Sequence, residues 1–238
     1  MPKLTERLAD LASDAFLKSA RVTEVSQLSP GFVKVGLEAE SFRGASWIPG
    51  AKLQFRPKRG ALSLRTYTPI EWDGERGTTS LIAFTHGAGP AAGWFRQVAP
   101  GDPCEVFGPR GSIDLRDLPR RVVFVGDESS VGLACALTTL TKDVQHIFEA
   151  ADPAESTAVL TELGFAGRFT VVPKESDRAP VLQLAREAAQ DSTEPFDLVV
   201  TGDAATVHAF RRDTRQWPQQ AKSTKARAYW AEGRTGLD

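Results

Sequence analysis

Residues 121–140 read RVVFVGDESSVGLACALTTL, which is an apolar strand, a turn and a helix in succession. The strand shows almost no alternation of apolar and polar residues, a pattern typical of a strand buried on both faces in a parallel sheet. The unit recurs downstream, with strands predicted over 146–150, 169–173 and 196–203, helices over 153–163, 180–190 and 204–217, and residues 226–233 closing the set. The pattern predicts a doubly wound parallel α/β domain over residues 119–238.

Upstream of residue 119 the chain has a different pattern, of short alternating strands separated by turns. Residues 21–38 alternate around a turn at Ser29-Pro30-Gly31, and residues 71–79 are polar and predicted to be a hairpin loop. Further strands are predicted over residues 47–55, 62–68, 81–85 and 104–107. Six or so short strands imply a closed antiparallel barrel over residues 1–118, with one internal helix starting near Ala91. Apolar residues at helical spacing predict a further helix over residues 3–18, docked on the barrel.

The composition excludes several classes of protein. The chain has 238 residues, 41% of them hydrophobic and 25% charged, and a net charge of −1, so bulk charge gives no preference for nucleic acid. No apolar run approaches the length of a membrane-spanning helix, and the first residues do not read as a secretory signal. Cys104 and Cys135 are the only cysteines, too few for an iron–sulfur or zinc site. We therefore expect no metal site and a cytoplasmic protein without a membrane partner.

Basic residues are unevenly distributed. Residues 41–70 contain six basic and no acidic residues, and residues 211–238 contain seven basic and three acidic ones. Two such segments could steer an anionic ligand toward the protein. The alternative is a solvated basic surface with no ligand.

The end of one predicted strand reads Arg65-Thr66-Tyr67-Thr68. Side chains alternate along a strand, so Arg65 and Tyr67 point to the same face. This pair suits a flavin nucleotide, with Tyr67 stacked on the isoalloxazine and Arg65 paired with the pyrophosphate. An edge strand with a solvated arginine is the alternative.

A glycine-rich turn follows the strand over residues 81–85 and reads His86-Gly87-Ala88-Gly89-Pro90. Small residues allow backbone N–H groups to approach a phosphate, and the start of a helix favours negative charge. A plain turn is the alternative.

Taken together, six motifs resemble those of the siderophore-interacting proteins, which are flavin-dependent ferric-siderophore reductases of the ferredoxin–NADP reductase superfamily. The motifs occur in the family's order and span most of the chain beyond residue 20. They are RTYTPI (65–70), HGAGPAAGWF (86–95), PGDPCEVFGPRGS (100–112), VVFVGDES (122–129), VVTGDA (199–204) and YWAEGR (229–234).

The resemblance implies an oxidoreductase that uses FAD and NADH or NADPH. NAD(P)H would pass hydride to the flavin N5, and the reduced flavin would give electrons to a ferric siderophore, from which Fe(II) leaves. No catalytic acid or base is required. Thr68 would act near N5, and His86 would hold the pyrophosphate region. The implied FAD residues are Arg65, Tyr67, Thr68, His86, Gly87, Gly89, Pro90, Ala91, Ala92 and Trp94, and the implied NAD(P)H residues are Gly126, Asp127, Glu128, Ser129, Gly202 and Asp203.

A pair of aromatic residues near the end of the chain, Tyr229 and Trp230, occurs in the resembled family close to the flavin and the substrate opening. Cations beside an aromatic opening suit a negatively charged ferric complex. Core packing is the alternative. The candidate substrate residues are Lys52, Lys225, Arg227, Tyr229, Trp230 and Arg234.

The chain departs from the family pattern at several positions. Ile70 stands where a second arginine is usual, and Ala92 where a serine is usual, so two contacts to a phosphate or substrate would be lost. Ser130-Val131-Gly132 replaces Ala-Leu-Pro, and Ala231 replaces an arginine. Flavin binding is still expected, with its tightness in question.

Two other functions fit the same residues. One is a general flavin or oxygenase reductase of the superfamily, and the other is a non-enzymatic binder of ferric complexes. A ferredoxin could replace the nicotinamide as electron donor. We expect a monomer; the residues do not distinguish NADH from NADPH or identify the siderophore.

Overall fold

The computed structural model describes residues 16–57, 64–87, 89–165, 167, 169–191 and 193–234, with the side chain of Pro90 left aside. Residues 3–15 of the helix predicted over residues 3–18 lie outside the described residues. Residues 58–63 also lie outside them, and with them the first two residues of the strand predicted over residues 62–68.

The first half of the chain forms a seven-stranded antiparallel sheet with the order β4-β3-β7-β1-β2-β6-β5. The two end strands, β4 and β5, are joined directly through Thr68 and Pro69. A short helix, α1 (Pro90–Phe95), lies within this half and begins one residue before the predicted start at Ala91. The strands are β1 (Lys18–Ser29), β2 (Phe32–Glu38), β3 (Lys52–Arg56), β4 (Arg65–Tyr67), β5 (Ile70–Asp73), β6 (Thr78–Phe84) and β7 (Pro103–Arg110).

The predicted class of this half is confirmed, with seven strands in place of six. The extra strand is β5, which occupies the first part of the loop predicted over residues 71–79 and pairs with β6. The turn between them is tight because the Asp73 carboxylate accepts the N–H groups of Glu75 and Arg76 and Gly77 adopts φ +74°. The polar residues at 71–79 correctly predicted a turn, but they gave no sign that β5 pairs with β6.

The second half forms a parallel α/β sheet, as predicted, and its five strands have the order β10-β9-β8-β11-β12. Every residue of β11 is buried, its polar residues Asp197, Thr201 and Asp203 included, as expected for a strand covered on both faces of a parallel sheet. Helices follow the first four strands: α2 (Val131–Thr138), α3 (Pro153–Glu162), α4 (Ala179–Gln190) and α5 (Ala204–Asp213). The strands are β8 (Arg121–Gly126), β9 (Val144–Ala150), β10 (Phe169–Pro173), β11 (Phe196–Asp203) and β12 (Ser223–Trp230).

The last helix is shorter than predicted. The α-helix α5 ends at Asp213 and is continued by a 3-10 turn over Thr214–Gln216. The Trp217 indole is buried and donates from Nε1 to the Asp213 carboxylate at 2.6 Å, which folds the chain back at this point.

The two sheets share a hydrophobic core. Phe32, Ile70 and Ile82 of the first sheet pack in one cluster with Phe124 of the second sheet and Leu133 of α2. The chain leaves the first sheet at Arg110 and enters the second at Arg121, and the division at residues 118 and 119 stays a prediction. Within the described residues, no helix is both long and apolar enough to cross a membrane.

Candidate functional site

A cleft of about 440 Å³ lies where β4 and the glycine-rich turn of the first half face α2 and β12 of the second half. It collects residues from five separate motifs of the sequence. Apolar side chains of Ile82 and Phe84 form part of its wall. Of the predicted FAD residues, those lining the cleft are Arg65, Tyr67, Thr68, His86, Gly87, Gly89, Ala91 and Ala92.

The Tyr67 ring is fixed by the core of the first sheet. It meets Phe55 edge-on, with ring centroids 6.0 Å apart, and Phe95 at 5.2 Å. Burial raises the pKa of Tyr67, and the nearby Arg65 only partly opposes this effect. The cleft therefore has an immobile, neutral phenol on its wall.

Three arginine side chains line the cleft. Arg65 donates from Nη1 to the neutral Leu64 carbonyl at 3.0 Å. Among the described residues, no carboxylate pairs with Arg65, Arg227 or Arg234. Three guanidiniums on one concave surface create a positive potential that favours an anionic ligand.

The glycine-rich turn leaves free space on its open side. A Cβ added to Gly87 (φ +76°) or to Gly89 would meet nothing within 4 Å. Arg96 holds the turn from behind by donating to the carbonyls of Thr85 at 2.6 Å and Gly87 at 3.0 Å. The His86 ring stacks on Phe84 with centroids 4.5 Å apart. Arg96 was not among the predicted residues; a lone arginine after a short helix carries no recognisable signal.

These residues fit the FAD that the resemblance implies. The open turn and the unpaired Arg65 suit phosphate groups, while Tyr67 and the apolar wall suit a flat ring system. The helix α1 begins at Pro90 directly after the turn, at a position where proline is favoured.

The residue after β4, Thr68, connects the two halves of the molecule. A Cβ added to Gly132, in the first turn of α2, would lie 3.3 Å from the Thr68 carbonyl oxygen. On β12, Tyr229 lines the same cleft; burial raises the pKa of its phenol, and the Thr68 side chain partly opposes this effect. Thr68 therefore lies beside two elements of the second half.

The Asp127 carboxylate ties together three strand ends of the parallel sheet. Its Oδ2 accepts the Asp203 N–H at 2.9 Å and the Trp230 Nε1–H at 2.7 Å, and its Oδ1 accepts the Ser129 N–H at 3.0 Å. Gly202 makes the approach possible, since a Cβ there would lie 2.5 Å from Oδ2, and its φ is +107°. Asp127 is 1% exposed, so its carboxylate is occupied by the protein itself.

Beside Asp127 lies a group of buried charges, which we call the strand-end cluster: Asp127, Glu149, Lys174, Arg178 and Asp203. Lys174 lies 3.2 Å from Asp203 and 3.5 Å from Glu149. Arg178 donates to Asp203 at 2.7 Å. Lys174 also lies 4.2 Å from the centre of the Trp230 ring. Lys174 and Arg178 were missed by the sequence analysis, although both follow the end of β10 within six residues.

Burial has opposite outcomes for the carboxylates near this cluster. It raises the pKa of Glu149 and of Glu128, and the Ala151 N–H that binds Glu128 at 2.7 Å only partly offsets the effect. Burial also acts to raise the pKa of Asp203, but the Ala205 N–H and Lys174 lower it on balance.

Several predicted residues lie away from the cleft lining. Trp94 packs between Phe55, at a centroid distance of 4.9 Å, and Phe95 at 5.1 Å. Lys225 lines a neighbouring pocket of about 270 Å³ with Ser112 and Asp114. Of the predicted NAD(P)H residues, Ser129 lines the cleft, whereas Gly126, Asp127, Glu128, Gly202 and Asp203 do not; of the predicted substrate residues, Lys52, Arg227, Tyr229, Trp230 and Arg234 line it.

The departure at Ile70 has a structural explanation. Ile70 is 5% exposed and packs in the core shared by the two sheets, while its carbonyl accepts the Thr79 hydroxyl at 2.8 Å. Its side chain therefore fills the core and is not part of the cleft lining. Ala92 does line the cleft, so the missing hydroxyl there leaves an apolar patch.

Comparison with known proteins places these observations in a family context. Residues 47–113, which span β3 to the end of β7, match the family described as the siderophore-interacting FAD-binding domain. The resemblance predicted from the six motifs is therefore confirmed.

Individual relatives extend the similarity to nearly the whole chain. The NADPH-dependent ferric-chelate reductase of Escherichia coli (strain K12) is 24% identical over 256 residues, covering 96% of this chain and 97% of that protein. A siderophore utilization protein from T. fusca shares the fold with a TM-score of 0.72 and 22% identity, covering 94% of this chain and 96% of that one. The siderophore-interacting protein of Aeromonas hydrophila also has a TM-score of 0.72, with 18% identity and 92% of each chain covered.

Proposed function

We propose that the protein is an FAD-dependent oxidoreductase that uses NADH or NADPH to reduce a ferric siderophore or a similar ferric chelate, releasing Fe(II). The observation that carries the proposal is the cleft itself. Its lining brings together three arginines, the glycine-rich turn with open space beside it, and the packed ring of Tyr67. The family match over residues 47–113 and the ferric-chelate reductase relative support the same chemistry.

The first half of the chain binds the flavin nucleotide in this proposal. Arg65 and the N–H groups around Gly87 and Gly89 bind the phosphates, because they supply positive charge and uncrowded donors. Tyr67 holds the ring system against a rigid wall, and the Thr68 hydroxyl lies at the junction with the second half. Bound FAD would accept two electrons from the nicotinamide and pass them on to iron one at a time.

The second half positions the nicotinamide donor. We assign its docking surface to the cleft wall formed by Ser129 and Trp230, at the carboxyl ends of the parallel strands. Asp127 and Asp203 act there as structural residues, because their carboxylates already bind protein donors. They hold the strand ends in place while Ser129 faces the ligand.

The ferric chelate binds at the arginine-rich side of the cleft. Arg227 and Arg234 lie there with Lys52, and long-range attraction raises the encounter rate for anionic complexes. Lys225 contributes to the same positive field from the neighbouring pocket. The proposal extends to a cytoplasmic monomer; the two free cysteines, Cys104 and Cys135, suit a reducing compartment.

The test is the absorbance spectrum of the purified protein, before and after anaerobic addition of NADH or NADPH. We expect flavin bands that one nucleotide bleaches, followed by turnover of ferric siderophores in preference to ferricyanide or free flavin. Failure to take up FAD would contradict the proposal and leave a ferric-complex binder. Bound flavin that no nucleotide reduces would indicate a ferredoxin donor, and a preference for free flavin would indicate a general reductase.

A further inference from the structure

Two neighbouring aromatic residues on β12, Tyr229 and Trp230, both line the cleft. Adjacent residues of a regular strand point to opposite faces, so this arrangement requires a break in the alternation. The pairing with β11 contains such a break. Gly202 lies opposite Ala228, whereas the next residue of β11, Asp203, lies opposite Trp230. Tyr229 is therefore the extra residue of a β-bulge, a feature that redirects side chains beside functional sites.

The Trp230 indole is held in two ways by the strand-end cluster. Its Nε1–H donates to Asp127 Oδ2 at 2.7 Å, which fixes the edge of the ring. The Lys174 ammonium lies 4.2 Å from the centre of the ring, which is a cation–π distance. Among the described residues that line the cleft, Trp230 is present and Lys174 is not. Lys174 therefore contacts the cleft wall through the indole ring.

The Lys174 side chain has a well-defined position of its own. Its backbone N–H donates to the Ala150 carbonyl at 2.9 Å, which continues the pairing of β10 with β9. Its ammonium lies among three carboxylates, at 3.2 Å from Asp203, 3.5 Å from Glu149 and 3.7 Å from Asp127. The side chain is only 16% exposed. A cation held away from water attracts an aromatic face more strongly than a solvated one.

We propose that Lys174 is a positioning residue, which together with Asp127 fixes the Trp230 ring in the orientation that receives the nicotinamide ring of the electron donor. The inference rests on the proposed function, in which Ser129 and Trp230 form the docking surface for that donor. A ring fixed in advance binds a flat ligand without the cost of being ordered during binding. The strand-end cluster therefore serves the cleft as well as the fold.

The experiment measures anaerobic flavin reduction in the FAD-bound full chain over a range of NADPH or NADH concentrations. We expect Lys174→Met to raise the concentration that gives half the limiting rate about 3- to 30-fold, the scale of one partly buried cation–π contact. The limiting rate should change less than about twofold, because the ring acts on binding of the nucleotide. Lys174→Arg keeps a cation that stacks on aromatic faces, so it should stay within about threefold of wild type.

The matched control is Arg178→Gln, which removes the other cation of the strand-end cluster. Arg178 also pairs with Glu149 and Asp203, at 3.7 and 2.7 Å, but of the two cations it is Lys174 that lies over the ring. Both variants should lower the free energy of unfolding, and only Lys174→Met should change the nucleotide dependence. In a Trp230→Leu background Lys174→Met should have no further effect on that dependence, because both changes act through one ring.

A measurement on the ring itself needs neither FAD nor nucleotide. The chain contains five tryptophans, and after labelling with 5-fluorotryptophan the ¹⁹F resonance lost in Trp230→Phe belongs to Trp230. Lys174→Met should shift or broaden this resonance more than Arg178→Gln does. Should Lys174→Met fold poorly, Trp230→Phe tests the other contact, since it keeps an aromatic ring but loses the N–H bond to Asp127. We expect it to raise the same nucleotide concentration, and no change would contradict the inference.

The outcomes separate the inference from the proposed function. Wild-type nucleotide dependence or an unchanged Trp230 resonance in Lys174→Met would overturn the positioning role alone. Equal changes in Lys174→Met and Arg178→Gln would overturn it as well, because the cluster would then act only through stability. A wild-type chain whose bound flavin neither nucleotide reduces would overturn the proposed donor and this inference together.

Discussion

The cleft and the strand-end cluster are both rich in charge, but they use it in opposite ways. In the cleft, Arg65, Arg227 and Arg234 pair with no carboxylate among the described residues. In the strand-end cluster, Lys174 and Arg178 both lie within ion-pair distance of Glu149 and Asp203. Charges neutralised by the chain stabilise the fold, whereas charges left open are available to a ligand.

The difference follows from which side chains meet at each place. The cleft is formed by β4, the glycine-rich turn, α2 and β12, and the described residues that line it include no acidic side chain. In the strand-end cluster, an acidic residue lies at the carboxyl end of each of β8, β9 and β11. Lys174 and Arg178, which follow β10, lie among these carboxylates. The parallel sheet therefore creates its own internal salt bridges at the edge where ligands usually bind.

The largest effect is expected at Gly202, where the strand-end cluster has no spare space. Gly202→Ala places a Cβ 2.5 Å from the Asp127 carboxylate at a φ of +107°. The clash displaces a buried carboxylate from donors on three strand ends, so the free energy of unfolding should fall by about 3–5 kcal/mol. Urea denaturation measures the change.

Gly87→Ala is the matched control in the cleft. Gly87 also has a positive φ, +76°, but an added Cβ would meet nothing within 4 Å. Only the backbone penalty of about 1–2 kcal/mol remains. Equal losses for the two variants would contradict the view that the cluster is packed and the cleft is open.

A pair of arginine substitutions tests the comparison directly. Arg65→Gln should leave stability nearly unchanged and weaken FAD binding about 10- to 100-fold, the effect of one charge-assisted hydrogen-bond contact. Arg178→Gln should leave FAD affinity within about threefold and lower stability by about 2–4 kcal/mol, because it strips Glu149 and Asp203 of a buried partner.

Fluorescence titration with FAD and urea denaturation of both apoproteins measure the two effects. Arg65→Gln and Arg178→Gln serve as controls for each other, because one should change FAD affinity and the other stability. Reduced FAD affinity in Arg178→Gln at unchanged stability would show that the strand-end cluster takes part in flavin binding.

Much of the fold is predictable because its signals are local. The strands predicted over residues 169–173 and 196–203 match β10 and β11 from end to end, because runs of apolar and β-branched residues bounded by turn residues are a local signal. β5 was missed because its pairing depends on a turn geometry set by Asp73 and Gly77. The motifs at Arg65 and Gly87, predicted to bind one cofactor, line the same cleft, and their role in flavin binding stays a prediction.

The roles of individual site residues are less predictable because they depend on distant partners. Asp127 looks like a ligand-binding residue after a strand, yet its partners lie 76 positions away at Asp203 and 103 positions away at Trp230. Trp94 lies in a predicted ligand segment, but α1 presents it to Phe55. No sequence spacing encodes these contacts.

The smallest expected effect is a pH dependence of stability caused by the buried Glu128. Burial raises the pKa of Glu128, which Asp127 reinforces and Lys174 and the Ala151 N–H oppose. The folded state thus binds this proton more tightly than the unfolded state. The resulting stability is present at acidic pH and is lost as pH rises through the folded pKa.

Glu128→Gln removes this titration and can still accept the Ala151 N–H through its amide oxygen. Its stability relative to wild type should therefore increase from about pH 4.5 to pH 7, by no more than about 1 kcal/mol, the scale of one hydrogen bond. Urea midpoints across this range give the measurement, with the exposed Glu75→Gln as the control for loss of a surface charge. A Glu128→Gln curve parallel to wild type would mean that the Glu128 carboxylate is as well accommodated when charged as that of Asp203, whose pKa is lowered on balance.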